Sequence, residues 1–311
     1  MEAESGKKME PTRRPTALSI GLVLFLVSGA PTYAQGTAWE TLNNEVEALY
    51  HEGHYERALV VAKKALSVAD MTADPNHRFV TTSLNNLAWL YYTQGHYAQA
   101  EPLFKRALAI REQTLGSDDI DVATSLNNLA ELYRVQGQYA QAEPLYRRSL
   151  AISEKALGPD HPDVATRLNN LAGLYRGQGQ YGQAETLFKR ALAISETALG
   201  PDHPDVARCL NNLAVLHDTR GRYSQAELLY KRSLAILEKA LGPHHPDVAT
   251  SLNNLATLYG SQGRYAQAEP LYKRSLAISE KALGPDHPFV ANIRGNLAVL
   301  YKKSGRGKDG G

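Results

Sequence analysis

Leu157-Gly-Pro-Asp-His-Pro-Asp-Val-Ala-Thr-Arg-Leu-Asn-Asn-Leu-Ala-Gly-Leu-Tyr175 is written again, almost letter for letter, from Leu199 to His217 and from Leu241 to Tyr259. The step is 42 residues. The Asn pair inside the stretch marks it along the chain: Asn43/Asn44, Asn85/Asn86, Asn127/Asn128, Asn169/Asn170, Asn211/Asn212 and Asn253/Asn254, with no insertion or deletion over six copies. A degenerate seventh copy has Gly295-Asn296 in place of the pair. A fixed period of this size marks a solenoid, in which each unit buries its apolar face only by stacking on its neighbours. Such arrays present long surfaces to partners and seldom carry chemistry.

Within one unit, Leu168, Leu171, Ala172 and Tyr175 fall on one helical stripe that Gly179 ends in the left-handed C′ position. Tyr181, Ala184, Phe188, Ala191 and Leu192 keep the same spacing in a second helix, which Gly200-Pro201 closes. Asp202 is the expected N-cap of the following helix, and Pro204 suits its first turn. Pro102, Pro144 and Pro270 fall close enough to the start of the second helix to cost little. On that helix the pairs Glu101–Lys105, Glu143–Arg147, Glu185–Lys189, Glu227–Lys231 and Glu269–Lys273 predict a solvated convex face. The dibasic ladder Lys105-Arg106, Arg147-Arg148, Lys189-Arg190, Lys231-Arg232 and Lys273-Arg274 belongs to the same face.

The 34 Lys and Arg almost balance the 32 Asp and Glu, so nothing global points to nucleic acid or an anionic membrane. Cys209 is the single cysteine and takes a position held by Ser125, Arg167 or Ser251 in sister units, which reads as a tolerated small residue. Residues 1–34 stand outside the repeat. Lys7, Lys8, Arg13 and Arg14 precede an apolar run from Ala17 to Ala30 and then Thr32-Tyr33-Ala34, the layout of a secretory signal. Cleavage near Ala34 and a periplasmic or secreted protein are expected; the alternative is a membrane anchor over residues 17–34, the one membrane contact foreseen. Either Met1 or Met9 serves as the start.

With these residues in view, the unit resembles the tetratricopeptide repeat. Ala172 and Ala184 match its two small positions, and Leu168, Leu171, Tyr175, Gly179, Tyr181 and Phe188 match others. The 42-residue wording is similar to the kinesin light chain and nephrocystin-3 type. The resemblance implies an all-α, right-handed α-solenoid of about six helix-turn-helix units plus a C-terminal capping helix. The expected layout is a solenoid over 38–302, with units at about 38–79, 80–121, 122–163, 164–205, 206–247 and 248–289, a cap over 290–303 and a disordered tail over 304–311. Kinesin light chains carry a heptad segment where this chain has the signal-like segment, so motor-cargo function is not carried over.

In that family the first helices line a concave groove. Position by position, Asn43, Asn85, Asn127, Asn169, Asn211 and Asn253 map to groove residues able to hold an extended backbone. The second Asn of each pair maps to a structural bond between helices. Between these fixed places, Trp89 and Tyr92 form an aromatic anchor, and Glu131, Arg134, Arg176, Arg208, Val215 and Asp218 continue the row. Three arginines on adjacent units favour a carboxylate-bearing protein or peptide segment, acidic or aromatic as the resemblance also implies. A purely structural, self-associating array is the competing reading, with an accessory module for a separate enzyme as a third.

The motifs that imitate chemistry fail on context. Gly177-Gln-Gly179-Gln-Tyr-Gly182 matches a dinucleotide fingerprint but lies between two helices rather than after a strand. His161, His203, His245 and His287 recur every 42 residues, too far apart to share an ion, and read as linker residues. His51-Glu52-Gly53-His54 is one residue short of a zinc motif. No catalytic constellation, metal or cofactor is expected.

Overall fold

The computed structural model describes residues 33–71, 78–285 and 287–306, with side chains from residue 36. The predicted signal segment thus falls almost wholly outside the described residues. Thirteen α-helices and no strand occur among them. They are α1 Tyr33–His51, α2 Tyr55–Met71, α3 Arg78–Thr93, α4 Tyr97–Leu115, α5 Ile120–Val135, α6 Tyr139–Leu157, α7 Pro162–Gly177, α8 Tyr181–Leu199, α9 Pro204–Thr219, α10 Tyr223–Leu241, α11 Pro246–Ser261, α12 Tyr265–Leu283 and α13 Pro288–Lys303. None is long and apolar enough to cross a membrane.

Each helix packs on the one before and the one after, and the odd-numbered helices also touch each other along the inner row. Helices of 16–19 residues are marginal alone, so this stacking supplies their stability. Ala130 and Ala142, Ala172 and Ala184, Ala214 and Ala226, and Ala256 and Ala268 are fully buried where the two helices of a unit cross. Leu126, Leu168, Leu210 and Leu252 fill the layers between units.

Helix boundaries follow the predicted glycines but not the predicted caps. Gly179 sits at φ 74° just past α7, with Gln180 N–H bonding the Tyr175 carbonyl. Asp202 does not cap α9. His203 does: its Nδ1 accepts the Asp205 N–H at 3.1 Å. His161, His245 and His287 do the same for α7, α11 and α13, and the carboxylate of Asp119 does it for α5. The periodic histidines are therefore helix caps rather than plain linkers. Pro102 is the sixth residue of α4, deeper than expected, so its missing N–H removes one true helical bond. The terminal unit also departs from expectation. Arg306, within the stretch expected as a tail, reaches back to Glu269 at 2.8 Å, and 307–311 lie outside the described residues.

The outer charges do more than cover a convex face. Each predicted i,i+4 pair forms, but the glutamates are the less exposed partners because side chains of the next unit also bind them. Tyr133, Tyr175, Tyr259 and Tyr301 donate to Glu101, Glu143, Glu227 and Glu269, always 32 residues back. In the dibasic ladder the second cation crosses to the previous unit, as in Arg106–Asp70, Arg148–Glu112, Arg190–Glu154, Arg232–Glu196 and Arg274–Glu238. The ladder is spent on joining neighbours.

Candidate ligand-binding groove

The inner helices α3, α5, α7, α9 and α11 together bound one cavity of about 420 Å³. Nine of the predicted groove residues line it: Trp89, Tyr92, Asn127, Glu131, Arg134, Asn169, Arg176, Arg208 and Asn211. Asn43, Asn85, Val215, Asp218 and Asn253 do not. Gly173 forms part of its wall, and a Cβ built there would meet nothing within 4 Å, so the missing side chain leaves room.

The asparagines are less available than their positions suggested. Asn86, Asn170, Asn254 and Asn296 donate to Asn43, Asn127, Asn211 and Asn253, at 2.7, 2.8, 2.9 and 3.2 Å. The second Asn is structural as expected, but it also consumes the carbonyl of the first. The ladder breaks between α7 and α9, where Asn169 Oδ1 is left without a partner, and again between α3 and α5, whose inner faces are in the weakest contact of the row. Asn85 Oδ1 and Asn128 Nδ2 are both buried there without partners. Trp89, the largest residue in the row, lies at this step. Asn169 turns instead to the Ala165 carbonyl and to Cys209 Sγ at 3.0 Å, which fixes the buried cysteine as a packing residue.

Trp89 is mostly core. It is 5% exposed, packs edge-on against Phe104 and Tyr92, and offers only its rim to the cavity. Tyr92 is tied down as well, donating to Glu131 at 3.2 Å. Burial, with that carboxylate, raises its hydroxyl well above the ordinary tyrosine value.

The three arginines are not equivalent. Arg134 makes a two-point pair with Glu131, Nε–Oε2 2.8 Å and Nη2–Oε1 2.5 Å, and Tyr146 adds a third donor to the same carboxylate. That hydrogen-bonded pair holds the Arg134 guanidinium above its usual value. Arg208 bonds Thr166 and Asp205 at 3.1 and 3.2 Å. Asp247 is beside it, pushed up to about 6 by burial against the opposing pull of Arg208. Among the described residues, Arg176 alone of the three has neither an ion pair nor a hydrogen bond. Burial and the neighbouring Arg134 both lower its affinity for its proton, the signature of a cation short of a counter-charge. Of the three arginines expected in the groove, only Arg176 keeps its guanidinium unpaired among the described residues.

Sequence periodicity located this row but could not assign the pairing. The signal for it was present in Glu131 and Arg134, three residues apart on a helix, a spacing at which they must meet. The repeat frame does not single out Gly173, which leaves the opening beside Arg176. Two of the fingerprint-like glycines have a structural reason: a Cβ on Gly177 would come within 3.0 Å of the Tyr139 hydroxyl oxygen, and Gly179 takes φ 74°.

A model of the tetratricopeptide repeat matches residues 38–113, 121–197, 168–239, 229–281 and 247–308. No curated protein matches the chain. Among solved structures, BtubC (BKLC) from P. vanneervenii is 28% identical, with a TM-score of 0.59 over 75% of this chain and 94% of that one. A Podosopora anserina kinesin light chain-type protein of nearly identical TPR-like repeats is also 28% identical, with a TM-score of 0.52 over 68% of this chain and 98% of that one.

Proposed function

The chain belongs to the tetratricopeptide-repeat family, a scaffold fold that mediates protein–protein contact, and from that premise we propose that it is an exported, non-catalytic scaffold holding an acidic segment of a partner protein in its inner cavity. One observation carries the proposal: Arg176 stands in that cavity beside an open wall, half-buried and unpaired, while the arginines on either side are neutralised. A buried cation without a counter-ion is costly, and a ligand carboxylate relieves the cost through a charge-assisted, two-point bond. The rim of Trp89 offers an apolar contact for a neighbouring aromatic residue of the same segment. Export rests on the basic and apolar order of residues 7–34. Fractionation with N-terminal sequencing of the mature protein tests it, and an intact N-terminus in a cytosolic fraction refutes it.

The binding test is fluorescence anisotropy with a labelled peptide containing Trp among Asp and Glu. Arg176→Glu is expected to weaken binding at least ~100-fold, since a loss of about 3 kcal/mol is typical of breaking a buried charged contact. Arg134→Ala is expected to weaken it far less. Equal losses from both, or none from Arg176→Glu, defeat the reading.

A further inference from the structure

Among the described residues every side-chain hydrogen bond but one links positions 44 or fewer apart, the span of adjacent units. The exception joins residues 232 apart. Tyr55 Oη lies 3.1 Å from His287 Nε2, with the two rings 6.1 Å between centroids. Beside them, Gly53 at φ 77° approaches the end of α12 so closely that a Cβ on it would sit 3.5 Å from the Leu283 carbonyl oxygen. The turn of the first unit thus rests against the loop that follows the sixth.

The geometry of stacking explains how this arises. Turns within a unit, such as Gly53–Tyr55, lie on one edge of the stack, and loops between units, such as Gly284–His287, lie on the other. No insertion interrupts the 42-residue period, so each repeat adds its rotation to that of the one before. After 232 residues, about five and a half steps, the rotation has brought one edge round to meet the other. Tyr97, Tyr139, Tyr181, Tyr223 and Tyr265 occupy the same place as Tyr55 in later units, and the positions 232 residues beyond them lie outside the described residues.

The contact is polarised in a defined way. His287 Nδ1 already accepts the Phe289 N–H at 3.1 Å, so in the neutral ring the proton is on Nε2, which donates to Tyr55. One hydrogen bond and one backbone approach make a light closure, able to part and re-form. We propose that Tyr55 and His287 form a releasable seam that closes the solenoid into a single turn around the cavity, and that the seam must part before an internal segment of a partner can enter. The seam stands independently of what binds; its role as a gate rests on the groove reading above.

Crosslinking tests the seam. His54→Cys and Pro285→Cys, in a Cys209→Ser background, place thiols on exposed residues beside it and leave Tyr55 and His287 intact. A short bismaleimide is expected to join them within one molecule, and adding Tyr55→Ala is expected to slow this at least ~10-fold. Equal rates, or links only between molecules, overturn the seam. Its gating is then read on the crosslinked chain with the same Trp- and acid-rich peptide, supplied free or built into a loop of a carrier protein. The free peptide is expected to bind the locked ring from its end, and the loop to lose at least ~10-fold in affinity on locking. Equal binding of the loop before and after locking overturns the gate. Failure of the free peptide to bind even the uncrosslinked chain overturns the groove reading and the gate with it, while the seam is judged by its crosslinking rate.

Discussion

Glu131 and Arg134, one turn apart on α5, neutralise each other inside the cavity through two hydrogen bonds of 2.5 and 2.8 Å. This pair decides which cation of the inner row is free to act. Replacing Glu131 with Gln keeps the shape and removes the charge. Arg134 then becomes a second unpaired cation beside Arg176, and affinity for the acidic peptide is expected to rise about 3- to 10-fold. The fold is expected to lose about 1–3 kcal/mol, because Tyr92, Tyr146 and Arg134 all lose a charged acceptor. Peptide anisotropy and urea denaturation on one variant check both; unchanged affinity with lower stability confines Arg134 to a structural role.

Asp247 gives the cavity a pH dependence of definite sign. Burial pushes its carboxyl up to about 6, so between pH 7 and 5 it takes up a proton and the cavity loses a negative charge beside Arg208. Peptide carboxylates stay ionised over that range. Binding is therefore expected to tighten as the pH falls through about 6, and Asp247→Asn is expected to hold the tight level throughout. A wild-type affinity flat from pH 7 to 5 contradicts this.

The histidine caps act in the other direction, on stability. Burial lowers the imidazoles of His245 and His287 below the ordinary value, and each uses a bare Nδ1 to hold its helix start. An unfolded histidine titrates near 6.5, so below that pH the unfolded chain binds protons that the folded chain resists. The stability these caps provide is fully present above about 6.5 and is lost as the pH falls towards the lowered folded values. His245→Asp paired with His287→Asp copies the cap that Asp119 already makes, and is expected to remove this part of the acid loss. His245→Ala is expected to cost about 1 kcal/mol at neutral pH. Thermal melts from pH 8 to 5 on the three proteins provide the comparison.

His217 interrupts the tyrosine-to-glutamate ladder. It is 5% exposed where its sisters carry tyrosine, its Nδ1 is buried without a partner, and Glu185 is bound by Arg220 and Arg222 instead. Tyr133, Tyr175 and Tyr259 occupy the equivalent place with the same exposure, so the site has room. His217→Tyr is expected to stabilise the chain by about 0.5–1.5 kcal/mol, through one new charged hydrogen bond and one orphaned nitrogen removed. A lower melting temperature would show that the fifth unit has diverged to fit its histidine.

Much of this protein was determined by sequence alone, because a solenoid is made of local rules repeated. The apolar spacing of Leu168, Leu171 and Tyr175, the left-handed glycine after each first helix and the unbroken 42-residue step specify helix pairs stacked in register, and they mark Trp89, Arg134, Arg176 and Arg208 as the variable inner row. Only tertiary structure decided which of those side chains are spent. Whether Arg134 is neutral, whether an asparagine carbonyl is taken, and whether His203 rather than Asp202 caps α9 depend on distances of a few tenths of an ångström. A spacing rule does not carry that detail. The meeting of Tyr55 with His287 is further still from the sequence, since it sums small rotations over the whole stack and no single repeat contains it.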